Sequence, residues 1–227
     1  FLQQIWSKLG IGVSSIGTLG AKLSDGKEEV CELANDDIRL TTPDSADLHR
    51  LLQQFAKQDI QHVAIEASSH GLDQRRLDSV PIAAAAFTNL TRDHLDYHGT
   101  MKKYASAKKR LFEDLLIDDG LAILNADDQF SEELVKSSRD RGHEILTYGF
   151  LGKDAKIVSL NPSKQGQELI LEAFGHRVKV NIPVVGSFQV SNILCAATIA
   201  IGLGSDIRDT IATLEILEGI AGRIEFV

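Results

Sequence analysis

The chain has 227 residues, 43% hydrophobic and 25% charged, with a formal net charge of −8. That length supports one large core or two small ones, and the acidic balance argues against a nucleic-acid backbone as partner while leaving anionic small molecules open, since local charge decides those. Cys31 and Cys195 are far apart and read as reduced thiols of a cytoplasmic protein; no apolar run is long enough to span a bilayer, and no charged-then-apolar leader stands at the start.

In chain order, residues 1–9 read as an amphipathic helix without a preceding cap, so the chain is expected to begin inside an element. Residues 13–16 form a short strand, and Thr42-Pro43-Asp44 supplies a proline and a capping aspartate ahead of a helix over Ser45–Lys57 with Leu48, Leu51, Leu52 and Phe55 on one face. Residues 63–67 and Ile82–Phe87 are continuous apolar runs, expected as central strands covered on both faces. A helix over 101–116, a strand at 121–124, a helix at 132–139 and a strand at 144–148 continue the alternation of an α/β fold with a mostly parallel sheet covered by helices. The segments 156–160, 168–174 and 177–182 then predict a small antiparallel three-stranded meander, spanning about 155–182, and helices over 190–203 and 207–217 close the chain.

One lysine sits where the helical pattern asks for an apolar residue. The i±3 and i±4 neighbours of Lys108 are Tyr104, Ala105, Leu111 and Phe112, whereas Lys102, Lys103 and Lys109 take the wet face. A lysine desolvated against such neighbours loses pKa and presents a neutral, nucleophilic amine; the alternative is that it snorkels past Tyr104 to water.

In open α/β sheets ligands gather at the carboxyl ends of the strands. Here those ends deliver Glu66-Ala67-Ser68-Ser69-His70-Gly71 and Thr88-Asn89-Leu90-Thr91-Arg92-Asp93-His94-Leu95-Asp96. Oxygen ligands with a single imidazole suit Mg²⁺ or Mn²⁺ better than zinc. Each residue alone has an ordinary structural reading, a cap or a loop hydrogen bond; together with Lys108 close behind, the metal-site reading is preferred. Ser68 and Ser69 lie in no GxSxG elbow, so a hydrolase is not indicated.

The run from Thr88 to Gly99, followed by Tyr104-Ala105-Ser106-Ala107-Lys108, closely resembles the Mur ligases, ATP-dependent amide-bond ligases of peptidoglycan precursor synthesis. Thr41-Thr42-Pro43-Asp44, Glu66 to Leu72, Gly186-Ser187-Phe188-Gln189-Val190-Ser191-Asn192 and Gly222-Arg223-Ile224-Glu225 agree with it. The resemblance is strongest to members that add the third residue of the stem peptide to UDP-N-acetylmuramoyl-L-alanyl-D-glutamate. It covers the whole chain as the family's central ATP-binding domain, 1–222, with 223–227 opening a hinge to a C-terminal domain.

The resemblance implies roles for particular residues. Lys108 matches a lysine that captures CO₂ to become a carbamate ligand; Glu66 and His94 match the metal-binding pair, giving a catalytic and metal set of Glu66, His94 and Lys108 around Mg²⁺. Thr41, Thr42, Ser68, Gln74 and Arg76 match positions that hold the UDP-muramoyl dipeptide, and Asn89, Asn192 and Arg223 match positions near the nucleotide. The implied reaction phosphorylates the D-glutamyl carboxylate with ATP and then joins it to an incoming amino acid whose identity residues 1–227 do not reveal. A monomer without membrane or nucleic-acid partner is expected. Three departures stand out: a glycine-rich phosphate loop belongs before Phe1 and is not among these residues, so the chain alone is expected to be inactive; Leu40 stands where relatives carry asparagine; and Gln189 replaces an asparagine in the adenine-contacting segment. Two other readings are another ligase of the same superfamily, including a folylpolyglutamate synthase-like enzyme, and a non-catalytic binding module.

Overall fold

The computed structural model describes residues 1–24, 29–33 and 40–219. They form two compact units, one built from Trp6–Ala83 and Leu90–Ile117, the other from Phe1–Ile5, Ala84–Asn89 and the chain from Asp118 onward. Helix α1 (Leu2–Lys8) contributes to both, its Ile5 and Trp6 buried.

The first unit is organised by a four-stranded sheet in the order β3-β2-β1-β4. Strand β1 (Val13–Gly17) pairs antiparallel with β2 (Gly20–Ser24), β2 pairs antiparallel with β3 (Glu29–Leu33), and β1 runs parallel to β4 (His62–Ile65). The β2 and β3 strands are additions to the sequence expectation; at five residues each, their alternation is too short to stand out. Helix α2 (Ser45–Lys57) has the expected boundaries, with the Asp44 carboxylate accepting the Asp47 N–H at 3.0 Å and Leu48, Leu51 and Phe55 buried. Such a cap contributes about 1 kcal/mol. Two short helices, α3 (Ser69–Asp73) and α4 (Leu95–His98), occupy segments that read as polar loops, and α5 (Met101–Arg110) ends in a π-helical turn, Leu111–Leu115. Helix α3 packs on α5, and Arg110 secures that contact by donating to the Leu72 carbonyl at 3.0 Å while pairing with Asp78.

The second unit carries a six-stranded sheet, β10-β9-β8-β7-β6-β5. Strand β5 is Ile82–Phe87, only partly within this unit, and β6 (Leu116–Asn125), β7 (Glu144–Gly149) and β8 (Ala155–Ser163) are parallel in sequence. The expected meander is present as β8, β9 (Gly166–Ala173) and β10 (His176–Ile182), continuing the same sheet antiparallel. Helices α6 (Ser131–Asp140), α7 (Ser187–Gly202) and α8 (Ile207–Thr213) complete it. The free thiol Cys195 is buried on α7, and burial pushes its pKa up to about 11, so it is an inert core group.

The expectation that 63–67 and Ile82–Phe87 are central strands covered on both faces is not met. Strand β4 is half-buried throughout, β5 buries only Ala85 and Phe87, and each ends its hydrogen-bonded order. Four consecutive alanines, Ala83 to Ala86, read as an apolar run yet carry little side chain to bury. The strand that meets the description is β6, buried continuously from Leu121 to Asn125.

His143, just before β7, is 6% exposed, and neither ring nitrogen has a hydrogen-bond partner among the described residues. Burial, reinforced by Arg141, holds its imidazole below the ordinary value of 6.5. The unfolded chain therefore binds more protons at this site, so stability is full above about pH 6.5 and is lost as the pH falls below it toward the folded value. His143→Leu is expected to flatten that acid-side slope in urea titrations between pH 7 and 5. It also removes an unsatisfied polar group worth roughly 1 kcal/mol, raising the midpoint at pH 6; an unchanged slope would assign the acid lability elsewhere.

Candidate functional site

The site is assembled in the first unit, and strand register places its carboxylate. The parallel β1–β4 pair aligns Ile16 with Ile65, and the Glu66 N–H donates to the Ile16 carbonyl at 2.8 Å. Glu66 thus emerges beside Gly17, where a Cβ would lie 2.8 Å from Glu66 Oε2, a contact too short to keep. Gly17 and Gly20 are paired, so Thr18 and Leu19 form a two-residue hairpin tip. From that tip Thr18 holds Glu66 Oε2 twice, through its backbone N–H at 3.0 Å and its hydroxyl at 3.0 Å. Thr18 Oγ1 is also 3.0 Å from Thr41 Oγ1.

Thr42 and Ser68 form an internal lock. The Thr42 hydroxyl, fully buried, donates to the Glu66 carbonyl at 2.7 Å, lies 3.0 Å from the Ser68 hydroxyl, and accepts the Ser68 N–H at 2.9 Å. Ser68 Oγ in turn caps α3 by accepting the Gly71 N–H at 3.1 Å. A Cβ on Gly71 would meet Thr42 Cβ at 2.7 Å and Cγ2 at 2.8 Å, so Gly71→Ala must displace Thr42. Thermal unfolding should show a loss of about 1–3 kcal/mol, the usual cost of overpacking; wild-type stability would mean that the lock yields freely.

Arg76 and Gln74 extend the lock. Arg76 Nη1 donates to the Thr42 carbonyl at 2.7 Å and Nη2 to Gln74 Oε1; Gln74 Nε2 donates to the Tyr97 hydroxyl at 3.1 Å, which donates to Asp73 Oδ2 at 2.8 Å. A guanidinium has five donors, so Arg76 keeps capacity for an external anion.

Beyond this network lies an aromatic cluster. His94, half exposed, occupies the left-handed region at φ 54° as the N-cap of α4, and its Nε2 is 3.6 Å from Asp93 Oδ2. A non-glycine residue held there costs of order 1–3 kcal/mol and marks a constrained position. Its ring meets His70 edge-on at 4.9 Å and Tyr104 edge-on at 5.9 Å. Lys108 is half-buried with Nζ 5.4 Å from the centroid of the same Tyr104 ring. It thus rises from the apolar stripe and lies over the aromatic face, while Lys109, expected in water, is half-buried and pairs with Glu113 at 3.0 Å. His98 is buried, stacked on Tyr104 at 5.2 Å with Nε2 3.0 Å from Ser69 Oγ; burial depresses its pKa, the charges of His70 and His94 adding to the effect.

The structure therefore brings Thr41, Thr42, Ser68, Gln74 and Arg76 into a connected network with Glu66, and gives His94 and Lys108 a shared neighbour in Tyr104. No three His, Cys, Asp or Glu side chains gather to hold a metal ion among the described residues. Asn89 is exposed after β5, and Asn192 is half-buried in the first turns of α7, both in the second unit; Arg223 lies outside the described residues. Thr18, Asp73, Tyr97, His98 and Tyr104 received no role from the sequence. Tyr97, His98 and Tyr104 stand inside the motifs already singled out, and the glycines flanking Thr18-Leu19 were the available sign of a hairpin tip.

Fold and site together define an α/β protein whose polar and ionisable groups gather after the carboxyl ends of its strands. It belongs to the Mur ligase family: the Mur ligase middle domain matches residues 1–200, across both units. The chain is 40% identical over 225 residues to the UDP-N-acetylmuramoyl-L-alanyl-D-glutamate--2,6-diaminopimelate ligase of Caulobacter vibrioides, covering 99% of this chain and 46% of that protein. It is 42% identical over 229 residues to the ligase of the same name from Bradyrhizobium diazoefficiens, with the same coverage. A solved structure of a ligase of that name superposes with a TM-score of 0.85 at 32% identity, over 100% of this chain and 45% of that one. The chain thus spans about half the length of the relatives it matches. No described helix is long and apolar enough to cross a membrane.

Proposed function

We propose that this chain is the middle domain of an ATP-dependent ligase that joins 2,6-diaminopimelate to UDP-N-acetylmuramoyl-L-alanyl-D-glutamate in the cytoplasm, acting as a monomer. The observation that carries this reading is the meeting of His94 and Lys108 around Tyr104 in the unit that also holds Glu66 at the end of β4. The donor chemistry fits a hard divalent ion: Glu66 has one oxygen fixed by Thr18 and is exposed, His94 offers an accessible imidazole, and Lys108 supplies a third donor once carbamylated. In that modification the neutral Lys108 amine adds to CO₂, a nitrogen–carbon bond forms and a proton leaves to solvent. When bound, Mg²⁺ neutralises charge on the phosphates.

The chain's own residues do the positioning. Arg76 directs its remaining donors toward an anionic group of the muramoyl dipeptide, with Gln74 and Thr42 fixing the guanidinium plane. Thr41 and Ser68 join the same hydrogen-bonded network, through Thr18 and Glu66 and through Thr42. Asn89, Asn192 and Arg223 are assigned to contacts with the nucleotide. The D-glutamyl carboxylate takes the γ-phosphoryl group of ATP and releases ADP. The diaminopimelate amine then attacks the acyl carbon, and phosphate leaves as the amide forms.

The test is to give the intact ligase ATP and UDP-N-acetylmuramoyl-L-alanyl-D-glutamate with 2,6-diaminopimelate or lysine, measuring ADP and nucleotide-linked tripeptide. One ADP per tripeptide, with diaminopimelate preferred, is expected. No dipeptide-dependent ADP release with either amino acid would sink the reading, and glutamylation of a folate would favour the other branch of the superfamily.

A further inference from the structure

We propose that Thr18 is a positioning residue that orients Glu66 and, through a directed pair of hydroxyl bonds, makes Thr41 a hydrogen-bond acceptor toward the substrate; this rests on the proposed ligase function. Proton count fixes the direction of the pair. The Thr18 hydroxyl has one proton, and it goes to Glu66 Oε2 at 3.0 Å. The 3.0 Å contact between Thr18 Oγ1 and Thr41 Oγ1 therefore has one assignment left, in which Thr41 donates and Thr18 accepts. With its only proton spent inward, Thr41 Oγ1 offers lone pairs outward. It is suited to a substrate amide N–H or hydroxyl, and it repels a carboxylate or carbonyl oxygen.

The same tip restrains the carboxylate. Thr18 N–H and Oγ1 both bind Oε2, and Glu66 Oε1 takes no hydrogen bond among the described residues. One oxygen anchored and one released is the arrangement that aims a carboxylate at an external partner. Gly17 makes the approach possible, because the Glu66 side chain lies where any Cβ would be. Thr18 is itself exposed at a two-residue hairpin tip, so the hydroxyl is not there to fill a core.

Thr18→Val removes the hydroxyl while keeping the branched shape and the backbone N–H; Thr18→Ser restores the hydroxyl. In the intact ligase, Mn²⁺ binding followed by the electron-spin signal of the free ion should weaken about tenfold in Thr18→Val, the scale of one hydrogen bond to a charged group, and return to within about twofold in Thr18→Ser. The melting temperature should stay at the wild-type value in both. For the muramoyl dipeptide, Thr41→Val should raise KM, and adding Thr18→Val to it should raise KM no further, since the two hydroxyls act as one relay. If Thr18→Val binds Mn²⁺ like wild type while Glu66→Gln does not, or if Thr18→Ser is as defective as Thr18→Val, the inference is overturned and the ligase reading stands. If Glu66→Gln itself binds Mn²⁺ and turns over like wild type, it is the ligase reading that fails.

Discussion

Lys108→Ala in the intact ligase is expected to lower kcat by at least about 10²–10³-fold, the range seen when one pre-placed charge-stabilising group is removed. Unfolding is not the route to that loss. The side chain is half-buried, with Nζ over the Tyr104 ring, and for the unmodified lysine an ammonium on that aromatic face contributes about 0.5–1 kcal/mol. The variant should therefore melt within a few degrees of wild type while turning over almost no substrate. Formate or acetate added at high concentration should restore part of the activity, because a free carboxylate can occupy the space vacated by a carbamate. Full activity in Lys108→Ala would remove the lysine from the site. An inactive variant that no carboxylate rescues would argue for a role of the amine itself.

His94→Asn is expected to be the second large effect. Asparagine tolerates the left-handed backbone that His94 occupies at φ 54°, so this substitution removes the imidazole without adding the strain that alanine would bring. The fall in kcat should be on the order of 10²-fold, with the KM for the muramoyl dipeptide changing by less than about threefold, the pattern required if the ring acts, as proposed, where charge develops and not where the substrate is held. A variant with normal kcat and a raised KM would instead make His94 a substrate contact. Arg76→Met should show that opposite pattern, since in the proposed function the guanidinium, held by Thr42 and Gln74, takes an anionic group of the dipeptide.

Much of this site is legible in the amino-acid order, and the missing parts have identifiable physical causes. The boundaries of α2 follow from Asp44 and a regular apolar face, and the second turn of the meander follows from Phe174-Gly175, whereas the first, expected at Asn161-Pro162-Ser163, falls after them because β8 runs through Ser163. Lys108 stands out because a charge interrupts the stripe of Tyr104, Leu111 and Phe112, all of them buried. Helices α3 and α4 were not visible, for segments of five and four residues cannot express a 3.6-residue period. The π-helical turn after α5 was likewise beyond the pattern, since 101–116 reads as one continuous helix. Thr18 escaped for a different reason: its importance arises from the parallel pairing of β1 with β4, and that long-range register brings residue 17 beside residue 66. His98 is a similar case, its partner Ser69 lying 29 residues away on α3.

The acyl-phosphate route makes one prediction that no binding measurement can imitate. If the D-glutamyl side-chain carboxylate of the muramoyl dipeptide is labelled with ¹⁸O and the intact ligase is run to completion with ATP and 2,6-diaminopimelate, the oxygen that attacks the γ-phosphorus leaves with the phosphate when the amine displaces it. Mass spectrometry should then find one labelled oxygen in the inorganic phosphate for each amide bond formed, and none in ADP. Unlabelled phosphate alongside labelled AMP would mean that the carboxylate is activated as an adenylate, and a γ-phosphoryl transfer served by Glu66, His94 and Lys108 would be contradicted.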